Sequence, residues 1–218
     1  MNRIVCRSLF LLIILFGGCA GEHKYAPNLT LTKTGPTIDA VAEFHSLYPA
    51  FELMSGKEKY GLYASTTERV QPSELTDQVE HEILTKLDVA GVFSRITRFD
   101  PHPDVILTGR ITALHEDYRP ERWATMTDAV PYSGKLAQLL RLKTHVSSGE
   151  VHLTLLVLKS TGEVLGTYTG KSSFKESFTP SKAGPLPGTF LNQALSDAVH
   201  QIQIELSHDV ELRNVASH

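Results

Sequence analysis

A short hydrophobic run near the amino terminus separates the first residues from everything that can fold after them. Arg3 and Arg7 give the start a positive charge, and Leu9 to Phe16 form the apolar core of the run. A core of this length cannot span a bilayer, which needs about 20 apolar residues. A basic start, a short apolar core and the small pair Gly17-Gly18 are typical of an export signal. We therefore predict that residues 1–18 are a signal peptide, and the alternative is a buried first helix.

The cysteine after this run makes the prediction more specific. Residues 15–19 read Leu-Phe-Gly-Gly-Cys and resemble the lipobox of bacterial lipoproteins. The resemblance implies a diacylglycerol on Cys19, removal of the preceding peptide, and acylation of the new amino terminus by a fatty acid such as palmitate. Phe16 departs from the leucine that lipoboxes usually carry three residues before the cysteine. The other interpretation is an ordinary secretory signal with a coincidental cysteine.

The residue after the cysteine bears on localisation. In bacteria with two membranes this position sorts lipoproteins, and Ala20 is not the aspartate that retains them at the inner membrane. By resemblance, the protein is expected in the cell envelope, anchored by lipid in the outer membrane with its domain facing the periplasm. Several acyl chains on one residue give a stable anchor, whereas one chain holds a protein only weakly.

The mature chain is mildly acidic and has no thiol left for other chemistry. Removing residues 1–18 leaves 200 residues, and since Arg3 and Arg7 are lost, 19 basic residues remain against 24 acidic ones, a net charge of −5. Nucleic acid is not an expected partner, because phosphate contacts need clustered Lys and Arg. Cys6 leaves with the signal and Cys19 is used by the lipid, which excludes a disulfide and a thiolate zinc site.

The mature chain is predicted to form one domain with a leading arm. The arm contains Pro27 and few large apolar residues, which favours a tether, and the alternative is an ordered edge strand at Leu29 and Leu31. The predicted segments are a lipidated tether at 19–35, a single domain at 36–208 with an insertion at about 117–148, and a polar tail at 209–218.

Hydrophobic periodicity predicts two helices and several strands. A helix N-capped by Ser73 after Pro72 has an apolar residue at every fourth position and ends at Gly91. A first strand is expected between Thr37 and Ser65, but apolar residues there also recur at helical spacing, so its position stays open. The other predicted elements are strands at 92–99 and 105–113, the latter with Val105, Leu107, Gly109, Ile111 and Ala113 facing inward, a hairpin at 150–174 turning at Ser160 to Glu163, and a helix at 191–206.

The order of these elements predicts an α+β fold, with an antiparallel or mixed sheet of about four strands and two main amphipathic helices on one face. The helix at Ser73 to Val92, the strand at Asp104 to Ile111 and the hairpin at Leu153 to Thr167 resemble small bacterial envelope lipoproteins. Their domain is similar to the amino-terminal domain of TolB and to the curli-secretion lipoprotein. The resemblance covers about half of the mature chain and is one of pattern. It implies a non-enzymatic protein that gathers with partners or in rings in a secretion, cell-wall or transport machine.

Candidate contact residues lie in the insertion, where an apolar helical face has basic flanks. Such a face suits a membrane surface or a protein groove, and the alternative is a loop and short helix that cap the domain's own core. The candidates are Tyr118, Arg119, Arg122, Trp123, Leu136, Leu139 and Leu140, together with Val130, Tyr132 and Lys143 on the same face and Lys135 and Arg141 beside it.

Catalytic and metal-binding patterns are weak. Gly170-Lys171-Ser172 resembles the end of a phosphate-binding loop, but Leu165 stands where the earlier glycine is required. The pair His200 and His208 and the run His115 to Asp117 lack the two-ligand spacing of about four residues that a helical metal site uses. We predict no cofactor, no metal site and no enzymatic activity, and the competing hypothesis is a hydrolase using His115 to Asp117.

These features together predict a lipid-anchored, non-enzymatic structural or adaptor subunit of a bacterial envelope assembly, secretion or transport complex. Its expected partners are the membrane, through Cys19, and envelope proteins or further copies of the same chain. The alternative function is a lipid- or solute-binding auxiliary lipoprotein of a transporter, suggested by the apolar residues Leu136 to Leu142.

Overall fold

The computed structural model describes residues 25–33, 35, 37–50, 72–121, 124, 139–179 and 185–215. Outside these residues lie the predicted signal peptide, Cys19, residues 51–71, Arg122, Trp123 and Leu136. The elements are β1 (Ile38–Pro49), α1 (Pro72–Val89), β2 (Phe93–Thr97), β3 (Val105–Pro120), β4 (His145–Lys159), β5 (Val164–Phe178), α2 (Thr189–His208) and α3 (Val210–Val215).

The strands form one mixed sheet in the order β2-β1-β3-β4-β5. β1 is parallel to both of its neighbours, whereas β3, β4 and β5 are antiparallel. A parallel neighbour requires a crossover connection, and α1 lies in the one between β1 and β2. The predicted α+β class and mixed sheet are confirmed, with five strands where about four were expected.

Both long helices pack into one core with the sheet. The stripe predicted for α1 is buried, and so is the stripe predicted for α2. The helix α1 begins at Pro72, so the predicted N-cap Ser73 lies inside it. Proline is well tolerated in the first turn of a helix, because a backbone N–H at that position would have no intrahelical partner. Gly91 ends the helix with a positive φ of 66°, as the sequence predicts.

β1 resolves the conflict between helical and strand spacing near residue 40. Its buried residues Ile38, Ala40, Ala42 and Phe44 alternate along the strand, and Leu47 is buried after a register shift. The helical spacing of Ile38, Val41 and Ala42 is therefore incidental. β1 is the missing first strand, and it lies inside the sheet rather than at its edge.

A bulge in β3 changes which side chains face the core. Val105, Leu107 and Ile111 are buried as predicted, but the register with β4 shifts between Ile111 and Ala113. Because one extra residue reverses the facing of every later side chain, Leu114 and Glu116 are buried, and Ala113 is not. The bulge therefore moves Glu116 to the side of the helices.

The strands extend into the predicted insertion, and the predicted polar tail begins with a packed segment. β3 continues to Pro120 and β4 begins at His145, so the segment between them is shorter than residues 117–148. After α2, Leu212 of α3 is only 1% exposed, and the Tyr168 hydroxyl donates a hydrogen bond of 2.7 Å to Asp209. An apolar residue inside a polar sequence thus holds this segment against the core.

Asp209 makes the carboxyl-terminal contact sensitive to acid. Partial burial raises the pKa of its carboxyl, but hydrogen bonds from Tyr168 and from backbone N–H groups outweigh burial and hold this pKa below its ordinary value. A lowered folded-state pKa contributes stability above about pH 4, and that stability is lost as the pH falls through the folded-state value.

We expect Asp209→Asn to lower the thermal midpoint at pH 7 and to have little effect below the folded-state pKa, where wild-type Asp209 is also neutral. Melting curves of both proteins between pH 7 and pH 2 measure this difference. Asp197→Asn, at an exposed position of α2, is the control. A difference between wild type and Asp209→Asn that did not change with pH would contradict the assignment.

Candidate functional site

Residues 25–33, here called the docking arm, lie against α2 and contact α1. They form no strand, but Tyr25, Pro27 and Leu29 are buried and alternate with exposed residues. The Leu29 N–H lies 3.5 Å from a Glu82 carboxylate oxygen of α1. The part of the predicted tether that the structure describes is thus packed against the domain, although it does not form the alternative edge strand.

Polar side chains of α2 hold the docking arm along the length of the helix. The Asn192 side-chain oxygen accepts hydrogen bonds from the Tyr25 hydroxyl at 2.9 Å and from the Asn28 N–H at 3.0 Å. The Ser196 hydroxyl accepts from the Thr30 N–H at 3.0 Å, and the Gln203 amide donates to the Thr32 carbonyl at 2.8 Å. The arm therefore runs in the same direction as α2, and Tyr25 lies near the first turn of that helix.

Tyr25 is the main anchor of the arm in the core. Its side chain is among the largest that are fully buried, with 2% of the residue exposed. Burial, and then the negative charges of Glu116 and Glu82, raise the pKa of its hydroxyl far above the ordinary value. The hydroxyl therefore stays neutral and remains a hydrogen-bond donor to Asn192.

Glu116 lies beneath the start of α2 and is fully buried. One carboxylate oxygen accepts a hydrogen bond from the Ser147 hydroxyl, and the other accepts from the Gly188 N–H at 2.6 Å. Gly188 precedes α2 with a φ of 91°, a conformation that favours glycine, and it has no side chain to cap the helix. A carboxylate at a helix amino terminus satisfies free N–H groups and opposes the helix dipole.

The three residues of the hydrolase hypothesis are divided between the two faces of the sheet. Successive side chains of a strand point to opposite faces, so His115 and Asp117 lie across the sheet from Glu116. Asp117 instead pairs with Arg119 at 3.3 Å. Within the described ranges, no group of three or more His, Cys, Asp or Glu side chains is placed to hold a metal ion.

An aromatic cluster lies at the end of the sheet that also contains Glu116. Tyr118, His145 and Phe178 come from three neighbouring strands, and the Tyr118 and Phe178 ring centroids are 5.3 Å apart. Phe190 of α2 joins them, 5.9 Å from Phe178. Partial burial, and then the charge of Glu116, raise the pKa of the Tyr118 hydroxyl. Tyr118, predicted as a contact residue, thus packs largely within its own domain.

Residues 139–143, with the sequence Leu-Leu-Arg-Leu-Lys, are here called the leucine loop. Leu139 and Leu140 are 78% and 59% exposed, Leu142 is 41% exposed, and Arg141 and Lys143 are exposed as well. The Thr179 hydroxyl donates to the Leu142 carbonyl, which fixes the loop beside the end of β5. Of the four predicted contact residues that the structure describes, Arg119, Leu139 and Leu140 are exposed and Tyr118 is partly buried.

Gly170, from the sequence that resembles the end of a phosphate-binding loop, has a structural role. It lies in β5, where an added Cβ would collide with the Ala198 carbonyl oxygen, so a side chain is excluded by the close approach of α2. A small gap, part of it open to solvent, lies between the helices and the sheet and is lined mainly by apolar residues such as Ile83 and Ile202, together with Arg110. No helix in the described ranges is long and apolar enough to cross a membrane.

Solved structures with a similar fold can be matched to this chain, but no protein family can. No protein-family model matches the sequence. No curated protein matches it either. Protein XCC0632 from Xanthomonas campestris, described under the family DUF330, is 14% identical with a TM-score of 0.46, and the match covers 88% of this chain and 96% of that one. A PelC dodecamer from Paraburkholderia phytofirmans is 10% identical with a TM-score of 0.41, covering 81% and 93%.

The chain is similar to both proteins and is assigned to neither. The resemblance to the TolB amino-terminal domain and the curli-secretion lipoprotein stays a prediction.

Sequence reasoning missed the contacts that hold the docking arm. Asn192, Ser196 and Gln203 recur at helical spacing beside the apolar stripe of α2. A polar row next to an apolar stripe usually faces solvent, so nothing local distinguishes it from an exposed surface. The usable signal was the pair Tyr25 and Leu29, whose large side chains are unusual in a freely solvated tether.

Proposed function

We propose that this protein is a lipid-anchored, non-enzymatic structural or adaptor subunit of a bacterial envelope assembly, secretion or transport complex. The observation that carries the proposal is the short distance along the chain between a lipobox-like cysteine and a buried residue. Cys19 precedes Tyr25 by six positions, and Tyr25 is fixed in the core. Six residues span at most about 20 Å, so a lipid on Cys19 holds the whole domain close to the membrane surface.

The proposed role follows from this tight attachment. A domain confined to a thin layer beside the outer membrane meets partners there at a raised effective concentration, and no new contact is required. The buried carboxylate in the candidate hydrolase run supports a helix instead of facing a cleft. The partners proposed are envelope proteins or further copies of this chain.

We expect Cys19→Ser to abolish incorporation of labelled palmitate and to release the protein from the membrane fraction, because no acyl chain can then be attached. Metabolic labelling and cell fractionation measure both effects. Cys6→Ser changes the only other cysteine and lies in the predicted signal peptide, so it is the matched control and should stay labelled and membrane-bound. A Cys19→Ser protein that remained in the outer-membrane fraction would contradict the proposed anchor.

The adaptor role is tested separately by cross-linking in intact cells. Wild-type protein should be recovered with envelope proteins or as cross-linked copies, and Cys19→Ser protein should lose these products because it is no longer confined. Recovery of lipidated wild-type protein only as an uncross-linked monomer would contradict the adaptor role and leave the anchor standing.

A further inference from the structure

We propose that the end of the sheet where the docking arm begins faces the lipid bilayer, with the leucine loop lying in the membrane interface. The inference rests on the proposed anchor at Cys19 and adds an orientation and a second contact. The occupant of this surface is the boundary between lipid headgroups and acyl chains.

The beginning of the docking arm and the leucine loop are at one end of the domain. Tyr25 is bonded to Asn192 in the first turn of α2, and the residue before that helix is bonded to Glu116 near the end of β3. At the same end, Pro120 of β3 pairs with His145 of β4, and His145 pairs with Phe178 of β5. The leucine loop leads into β4 and is bonded to Thr179.

The strands are much longer than the leader. β4 and β5 have 15 residues each and run from this end to the turn at Ser160 to Glu163. At about 3.4 Å for each residue, that turn is roughly 50 Å from the leucine loop. A leader of six residues reaches only about 20 Å from Tyr25. The leader therefore holds the near end beside the bilayer and does not restrain the far turn, which we place away from the membrane.

The leucine loop has the mixed apolar and basic character of a membrane-interface segment. Its leucines alternate with Arg141 and Lys143, and all five side chains are exposed. Leu186, just before α2, adds a 57% exposed side chain at the same end. Apolar side chains beside Lys and Arg match the bilayer interface, where leucines enter the acyl region and basic groups meet anionic headgroups.

The mature chain is suited to a direct test, because a lipidated Cys19 leaves no free thiol for labelling. Lipidated protein carrying Leu140→Cys is labelled with an environment-sensitive fluorophore and reconstituted into phosphatidylethanolamine–phosphatidylglycerol vesicles that contain brominated lipid. Thr161→Cys, exposed in the far turn, is the matched control. We expect the emission of the label at position 140 to shift to shorter wavelengths and most of its fluorescence to be quenched by the brominated lipid. The emission wavelength and intensity of the label at position 161 should not change.

Two further measurements make the outcome decisive. Combining Leu140→Cys with Arg141→Glu and Lys143→Glu should remove most of the quenching, because the loop then repels anionic headgroups. Incorporation of palmitate shows whether Cys19 is lipidated, and a lipidated protein takes up one fluorophore because only the introduced cysteine has a free thiol. A failure of the proposed anchor is therefore detected separately from a failure of the proposed orientation. An unquenched label at 140 in lipidated protein, or equal quenching at 140 and 161, would overturn the proposed orientation.

Discussion

Replacing Glu116 with alanine is expected to lower the stability of the domain by about 2–5 kcal/mol, because it removes two charge-assisted hydrogen bonds and leaves two buried donors without an acceptor. The groups concerned are the Ser147 hydroxyl and the Gly188 N–H at the start of α2. For a domain of this size, the change corresponds to a fall of about 10 °C in the thermal midpoint. Thermal and urea denaturation followed by circular dichroism measure it.

Two variants show whether the carboxylate itself is responsible. Glu116→Gln keeps an oxygen that can accept from Gly188 and should lose less stability than alanine. Glu150→Ala, at an exposed position of the neighbouring strand, should change the free energy of unfolding by less than about 0.5 kcal/mol. An unchanged or raised midpoint in Glu116→Ala would show that the carboxylate does not support α2, and it would reopen a chemical role for this residue.

The second large effect is expected from Tyr25→Ala, which removes the buried anchor of the docking arm. Truncating a buried aromatic side chain costs about 3–5 kcal/mol. The loss falls mainly on docking of the arm, since the sheet and both helices pack without it. Amide hydrogen exchange should therefore show loss of protection at Asn28 and Thr30, whose N–H groups are bonded to α2.

Tyr48→Ala is the control, because that side chain is 64% exposed. It should leave the exchange of Asn28 and Thr30 unchanged. Full protection of these amides in Tyr25→Ala would mean that the arm does not depend on Tyr25.

Local patterns were enough to predict both long helices and the β4–β5 hairpin. An apolar stripe at every fourth residue and a tight turn between alternating strands depend on neighbours in sequence. β1 could not be placed in this way, since its partners are β2 and β3, which come more than 40 residues later. Parallel pairing of that kind has no local signature.

The sequence predicts the parts of the candidate site that depend on local composition, and it does not predict the parts that depend on distant contacts. Lipobox spacing and the basic and apolar character of the leucine loop can be recognised in the sequence. The position of Glu116 could not be predicted, because the bulge between Ile111 and Ala113 decides which face of the sheet its side chain takes. Burial of Tyr25 likewise depends on helices far along the chain, and the large side chains of the arm indicate only that it is unusual for a solvated tether.

The contact between the docking arm and α2 also sets an order of events during folding. The hydrogen bonds between the arm and α2 join residues 164 to 171 positions apart, so the arm cannot dock on α2 until nearly the whole chain is available. Completion of α2 is thus the event that allows the amino-terminal arm to pack. Under the proposed lipidation of Cys19, any acylation before that event would take place beside an arm that is not yet docked.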